Sequence, residues 1–370
     1  MLKKAVSVLI CIATAALFPL VTAGAEPSLS ARSAVLIEAE TGIVLYEHNA
    51  YEQRAMASTT KIMTAILTIE AGDLDREFVV DSYAIMVEGT SMGLQEGDRV
   101  SRRDLLYGIL LPSGNDAANA AAVSVGGSIG GFVEMMNAKA EELGLSQTHF
   151  VTPSGLDAKG HYTTAYDLAQ LTAYAMKNEL FREIVSSKSA TLEYGNPPYI
   201  RTLYNSNKLL SRYEGCIGVK TGFTDNARRC LVSAAERDGV TLIAVTLNAG
   251  DDWNDHEKML EHGFGQVTAY PLETACSERV AVAGTGESVG VYAEEATLAL
   301  IPSHRERLIS RVLLPRMVYE AEKGQGLGCI QFVLDGRVLK TCPLYAAESV
   351  AAKEDLSFLQ RVMGFFGVYI

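Results

Sequence analysis

The chain has 370 residues, of which 48% are hydrophobic and 21% charged, with a mean hydropathy of +0.12. That composition excludes a disordered or collagen-like chain, and the length suits two domains of roughly 150 residues each. The net charge of −12 excludes a polyanion such as nucleic acid as the main partner, because binding one needs clustered Lys and Arg.

Lys3 and Lys4 precede an uncharged apolar run over 5–21, and Ala23-Gly24-Ala25 supplies small residues before Glu26. This is the pattern of an export signal over 1–25. A retained anchor is the competing reading, but the run is short for ~30 Å of hydrocarbon and contains Pro19. Export puts the working protein at the outer face of the cytoplasmic membrane or in the cell wall, where disulfides are permitted. Next, 33–38 and 42–47 read as strands around the turn Glu40-Thr41-Gly42. From Ser58 to about Ala71, Ile62, Met63, Ala65, Ile66 and Ile69 recur at helical spacing, and Gly72-Asp73 stops the helix. Helices are also expected over 103–111, 116–125, 132–143 and 164–176. The stretches 217–221, 230–236 and 241–247 read as antiparallel strands, followed by a helix over 255–263. Pro271-Leu272-Glu273-Thr274 marks a boundary. Beyond it, β-type runs at 279–282, 288–292, 297–301, 330–334 and 338–341, uninterrupted by helical periodicity, predict a small all-β domain over 275–350.

Over 354–370, Ser357, Gln360, Arg361, Gly364 and Gly367 share one sector of a helical projection and the rest is almost wholly apolar. The segment is too short to span a bilayer and suits a helix lying on a membrane surface; docking on the protein itself is the alternative. Five cysteines follow residue 25: Cys216, Cys230, Cys276, Cys329 and Cys342. Asp335-Gly336 is a favoured two-residue hairpin turn, and counting back from it sets Cys329 opposite Cys342, within disulfide reach. Cys216 and Cys230 flank the 217–221 strand and its return, so they too are expected near each other. Reduced thiols are the alternative in both cases.

Three short motifs carry chemistry. Ser58-Thr59-Thr60-Lys61 opens a helix, so hydroxyl and amine share one face, with the helix N-terminus favouring negative charge near Ser58. A lysine in a partly dry site beside another cation can act as a base. Ser113-Gly114-Asn115 falls between two helices and Lys220-Thr221-Gly222 on a strand. Alone, the first motif is as readily an N-cap serine and a solvated lysine. In this order and context, the three form the signature of penicillin-binding proteins and serine β-lactamases. His256 and His262 miss the i, i+4 spacing of a helical zinc pair, and Asp251, Asp252 and Asp255 read as a solvated helix start.

With these motifs, the stretches His149 to Leu156 and Gly160 to Leu168, and Asn205-Ser206-Asn207-Lys208-Leu209-Leu210, the chain resembles the low-molecular-weight penicillin-binding proteins with D-alanyl-D-alanine carboxypeptidase activity, the peptidase S11 group, and its sporulation-type members. The resemblance implies an α+β fold: a transpeptidase/β-lactamase-like domain over 26–270, with an antiparallel sheet between helices and a helical subdomain, then the small β domain. It implies Ser58 as acylated nucleophile, Lys61 as general base and Ser113 as proton relay. Asn115 would hold a substrate amide, Lys220 supply positive charge, Thr221 bond the terminal carboxylate and Gly222 admit the substrate backbone. The N–H groups of Phe223 and Ser58 would form the oxyanion hole. The implied substrates are peptidoglycan stem peptides ending in D-Ala-D-Ala, with β-lactams as covalent inhibitors and no metal or organic cofactor. No E-x-x-L-N lies between the second and third motifs, which argues against a β-lactamase. Endopeptidase action on cross-links uses the same residues, and a non-catalytic wall-binding protein would not need them intact. Ser154 stands where relatives often have His, Met56-Ala57 stands where Pro-Ala is common, and no arginine for the carboxylate is evident over 248–254.

Overall fold

The computed structural model describes residues 26–351. The expected signal over 1–25 and the helix over 354–370 lie outside them. A five-stranded antiparallel sheet, ordered Val44–His48, Ser33–Glu38, Val240–Ala249, Arg228–Arg237, Cys216–Thr224, forms the centre. Its strands alternate between two cores. Val35, Ile37, Ile243 and Val245 face the larger core with the helices Lys61–Glu70 and Ala165–Ala175, whereas Leu36, Leu242 and Ala244 face Met259 and Leu260 of the helix Asp252–Phe264. With both faces buried, a one-residue slip would exchange the two cores, so the pattern itself specifies the register.

Helices Arg102–Leu110, Asn115–Gly126 and Ile129–Glu142 pack beside this sandwich. Ala117, Ala118, Ala120, Ala121 and Ala122 are all buried, so small side chains let these helices approach closely. Together with the central sheet, they give the α+β layering expected from the sequence. Elements here that were not expected include the helix Glu179–Ser186, the hairpin Ser189–Gly195/Pro198–Tyr204, the ribbon Glu77–Val79/Arg99–Ser101 and the short helix Leu209–Arg212. The last part of the chain curls into a six-stranded sheet around its own core of Val280, Val289, Ile330, Phe332 and Leu344. Its edge strand Ile309–Leu313 was also unexpected, since its five residues are all exposed and carry no alternation of burial. Thr297–Leu300 does not join this sheet. It pairs with Thr268–Pro271, so a two-stranded ribbon spans the boundary read at 271–274.

Both cysteine pairings are corrected. The hairpin turn is where expected, with Leu334 paired to Arg337 and Val333 to Val338, but Phe332 pairs with Lys340. One extra residue, Leu339, therefore shifts the register: Cys342 faces Ile330, and Cys329 faces Pro343. Cys216 pairs with Ala235 and Cys230 with Gly222, far apart along the same ladder. All five described cysteines are free.

Candidate active site

Ser58 is the second residue of a single 3₁₀ turn, Ala57–Thr60, that runs into the helix Lys61–Glu70. The Lys61 side chain is fully buried, and its Nζ lies 3.0 Å from Ser58 Oγ, 2.7 Å from Asn115 Oδ1 and 2.6 Å from Ser154 O. An ammonium donates three hydrogens to these three oxygens. A neutral amine keeps two N–H groups and gains a lone pair, so it can still donate to Asn115 and Ser154 while accepting from the Ser58 hydroxyl. Burial drives the Lys61 pKa well down, and the charge of Lys220 acts in the same direction, opposed by Asp116. The Ser154 side chain takes no part in this contact. The main-chain carbonyl does, so this contact does not depend on which side chain stands at position 154.

Ser113 lies between the helices Arg102–Leu110 and Asn115–Gly126 with a φ of 69°, a left-handed conformation unusual for a serine. Lys220 Nζ donates to Ser113 Oγ at 2.9 Å and to Thr221 O at 2.9 Å. Burial lowers the Lys220 pKa to about 7. The two serines are thus each paired with a dry lysine. Asn115 is clamped from behind, its Nδ2 donating to Glu88 O at 2.7 Å. Asp116 holds the neighbouring loop by accepting from the backbone N–H groups of Met92, Gly93 and Leu94.

On the facing strand, a Cβ added to Gly222 would sit 3.0 Å from Ser58 N and 3.1 Å from the Ala57 side chain. The missing side chain lets the strand pack directly on the nucleophile's turn. Thr221 Oγ1 pairs with Ser206 Oγ at 2.8 Å, and the Phe223 ring is 59% exposed at the rim. Ser58, Ser113, Asn115, Thr221, Gly222 and Phe223 line one open cleft of about 530 Å³, with Lys61 and Lys220 buried beneath it.

The sequence reading missed part of the cleft. Arg229 lines it opposite Phe223 in the ladder, 3.6 Å from the carboxylate of Asp252, and Trp253 and Ser206 line it too. Strand register would have revealed Arg229. Asp252 and Asp255 are buried rather than solvated: Asp252 reaches the cleft, and Asp255 accepts from Ser30 N and Ala31 N. His256 bridges Ser233 and Thr246 inside the second core, a structural role.

The sequence pattern of the peptidase S11 family, D-alanyl-D-alanine carboxypeptidase, matches residues 20–251. The D-alanyl-D-alanine carboxypeptidase DacF of Bacillus subtilis is 33% identical over 92% of this chain and 90% of its own length. The crystal structure of the Streptomyces K15 DD-transpeptidase, 36% identical, covers 64% of this chain and 98% of its own with a TM-score of 0.61. That of the D-alanyl-D-alanine carboxypeptidase DacD from Francisella tularensis covers 89% of this chain and 95% of its own, at 26% identity and a TM-score of 0.63. With its three motifs converging on one cleft, the chain belongs to the peptidase S11 family of D-alanyl-D-alanine carboxypeptidases.

Proposed function

We propose that the protein removes the terminal D-alanine from peptidoglycan stem peptides through an acyl-enzyme on Ser58. The observation that carries this reading is the buried Lys61 amine 3.0 Å from Ser58 Oγ, beside a second lysine and serine similarly paired. Ser58 Oγ attacks the carbonyl of the penultimate D-Ala as its proton passes to Lys61. The oxyanion meets the N–H groups of Ser58 and Phe223. The proton passes through Ser113, biased by Lys220, to the leaving amine, and D-alanine departs. Water then hydrolyses the ester by the same route in reverse. Asn115 orients a substrate amide, and Gly222 and Thr221 present the strand edge and a hydroxyl. A β-lactam would acylate Ser58 in the same way.

The peptidase unit is taken as 26–270 and the β-rich unit as 275–350. Export by residues 1–25 and membrane association through 354–370 complete the reading, supported by the sequence pattern of those segments; among the described residues, no helix is long and apolar enough to cross a membrane. Fluorescent penicillin should label the protein but not Ser58→Ala, and the wild type should release D-alanine from a muropeptide ending in D-Ala-D-Ala. An unlabelled wild type refutes the proposal, and labelling without D-alanine release from any such peptide refutes its carboxypeptidase part.

A further inference from the structure

The peptide unit joining Ala57 to Ser58 has two ends. Its N–H belongs to Ser58 and, on the function proposed above, binds the oxyanion. Its C=O belongs to Ala57, which holds a left-handed φ of 48°. Because the unit is planar, whatever fixes the carbonyl fixes the direction of the N–H.

The carbonyl is fixed by a relay whose every hydrogen can be placed. Val151 N–H donates to His161 Nδ1 at 2.9 Å, and since an amide only donates, Nδ1 carries no hydrogen. In the neutral ring the hydrogen is therefore on Nε2, 2.8 Å from Thr60 Oγ1. Thr60 Oγ1 accepts there and donates its own hydrogen to Ala57 O at 2.8 Å. His161, Thr60 and Ala57 are all buried, so the two bonds from His161 through Thr60 to Ala57 do not compete with water. Burial and the charge of His149 lower the His161 pKa to about 4, with Asp157 opposing, so the ring is neutral at working pH. From the other side Gly155 closes on the same carbonyl: a Cβ there would sit 1.9 Å from Ala57 O.

We infer that His161 and Thr60 are positioning residues for catalysis: through Ala57 O they aim, and by bond cooperativity polarise, the Ser58 N–H of the oxyanion hole. Neither touches substrate. Thr60→Val keeps the shape and removes the relay. His161→Leu removes the ring's donor and acceptor. His161→Gln restores them, because a carboxamide carries an acceptor and a donor at nearly the spacing of the ring nitrogens.

The test compares wild type and the three variants by acylation rate with penicillin, melting temperature and the infrared carbonyl stretch of the acyl-enzyme. Thr60→Val and His161→Leu should acylate roughly tenfold or more slowly, with the acyl carbonyl stretch moved to higher frequency by its weakened hydrogen bonds. His161→Gln should recover most of the rate and the wild-type stretch, and the double variant Thr60→Val/His161→Leu should be no slower than the worse single one. A wild-type rate and stretch in Thr60→Val overturns the inference, as does slowing with an unmoved stretch, which would make the role purely structural. Failure of Ser58 to acylate in the wild type refutes the proposed function instead, so the two failures are distinguishable.

Discussion

Arg229 is the only Lys or Arg side chain among the described residues lining the cleft. The two catalytic-motif lysines are sealed beneath it, so a substrate carboxylate finds an accessible cation only at Arg229, with the Thr221 hydroxyl as partner. Asp252, held 3.6 Å away, orients that guanidinium and partly offsets its charge. A charge-assisted hydrogen bond contributes about 1.5–3 kcal/mol. Arg229→Gln should therefore raise KM for a D-Ala-D-Ala peptide by roughly tenfold to a hundredfold while changing kcat little. Steady-state kinetics on free and C-terminally amidated peptides check this, since the amide should be indifferent to the substitution. Lys61→Ala removes the base itself and should slow acylation by roughly 10²–10⁴-fold, read by stopped-flow labelling.

At the scale of elements, the site exists because three backbones meet with no side chain between them. Gly155 has a φ of +86° as well as its close approach to Ala57 O, so Gly155→Ala combines a strained backbone with a clash. It should lower the melting temperature and slow acylation together, as thermal melts and penicillin labelling would show. This closeness was only partly legible in the sequence. The helices and central strands could be read because apolar residues repeat at 3.6 or 2 along them. The triad of motifs could be read because Ser58 and Lys61 share a helical turn and Lys220 lies on a strand. Arg229 could not, because which residue of one strand faces which of the next depends on register, and Asp252 could not, because its place at the cleft depends on how the helix Asp252–Phe264 packs on that sheet. The Cys329–Cys342 pairing failed for the same reason: a single extra residue, Leu339, carries no signal of its own, yet it displaces everything beyond it. The strand Ile309–Leu313 escaped because an exposed edge buries neither face.

For the whole molecule, stability should depend on pH through histidines that the fold keeps neutral. Burial lowers the pKa of His256 to about 3 and of His161 to about 4, whereas an unfolded histidine titrates near 6.5. Above pH 6.5 neither state takes the proton and the histidines contribute nothing. Below it the unfolded chain binds protons that the folded one refuses, so stability falls with falling pH, by up to about 1.4 kcal/mol per unit for each histidine. Urea unfolding at pH 7.5 and 5.5 should show this loss, and His256→Gln should reduce it; an unchanged slope in that variant would exclude His256 as a source. The free thiols lead to another expectation: among the described residues no disulfide links the chain, so a reducing agent should leave the melting temperature unchanged.

The ribbon across the boundary does not act alone. Arg337 donates to Thr41 O at 2.8 Å, and Lys340 meets Glu40 at 2.7 Å, so the far β-sheet grips the turn between the first two strands of the central one. Wherever that far β-sheet is held, the mouth of the cleft is consequently held as well, at one height and facing one way. An enzyme mounted like this would work as a fixed tool on a bench, reaching only those strands of a solid polymer that pass at its level, and lengthening the post would change what it can trim without altering one atom of its chemistry.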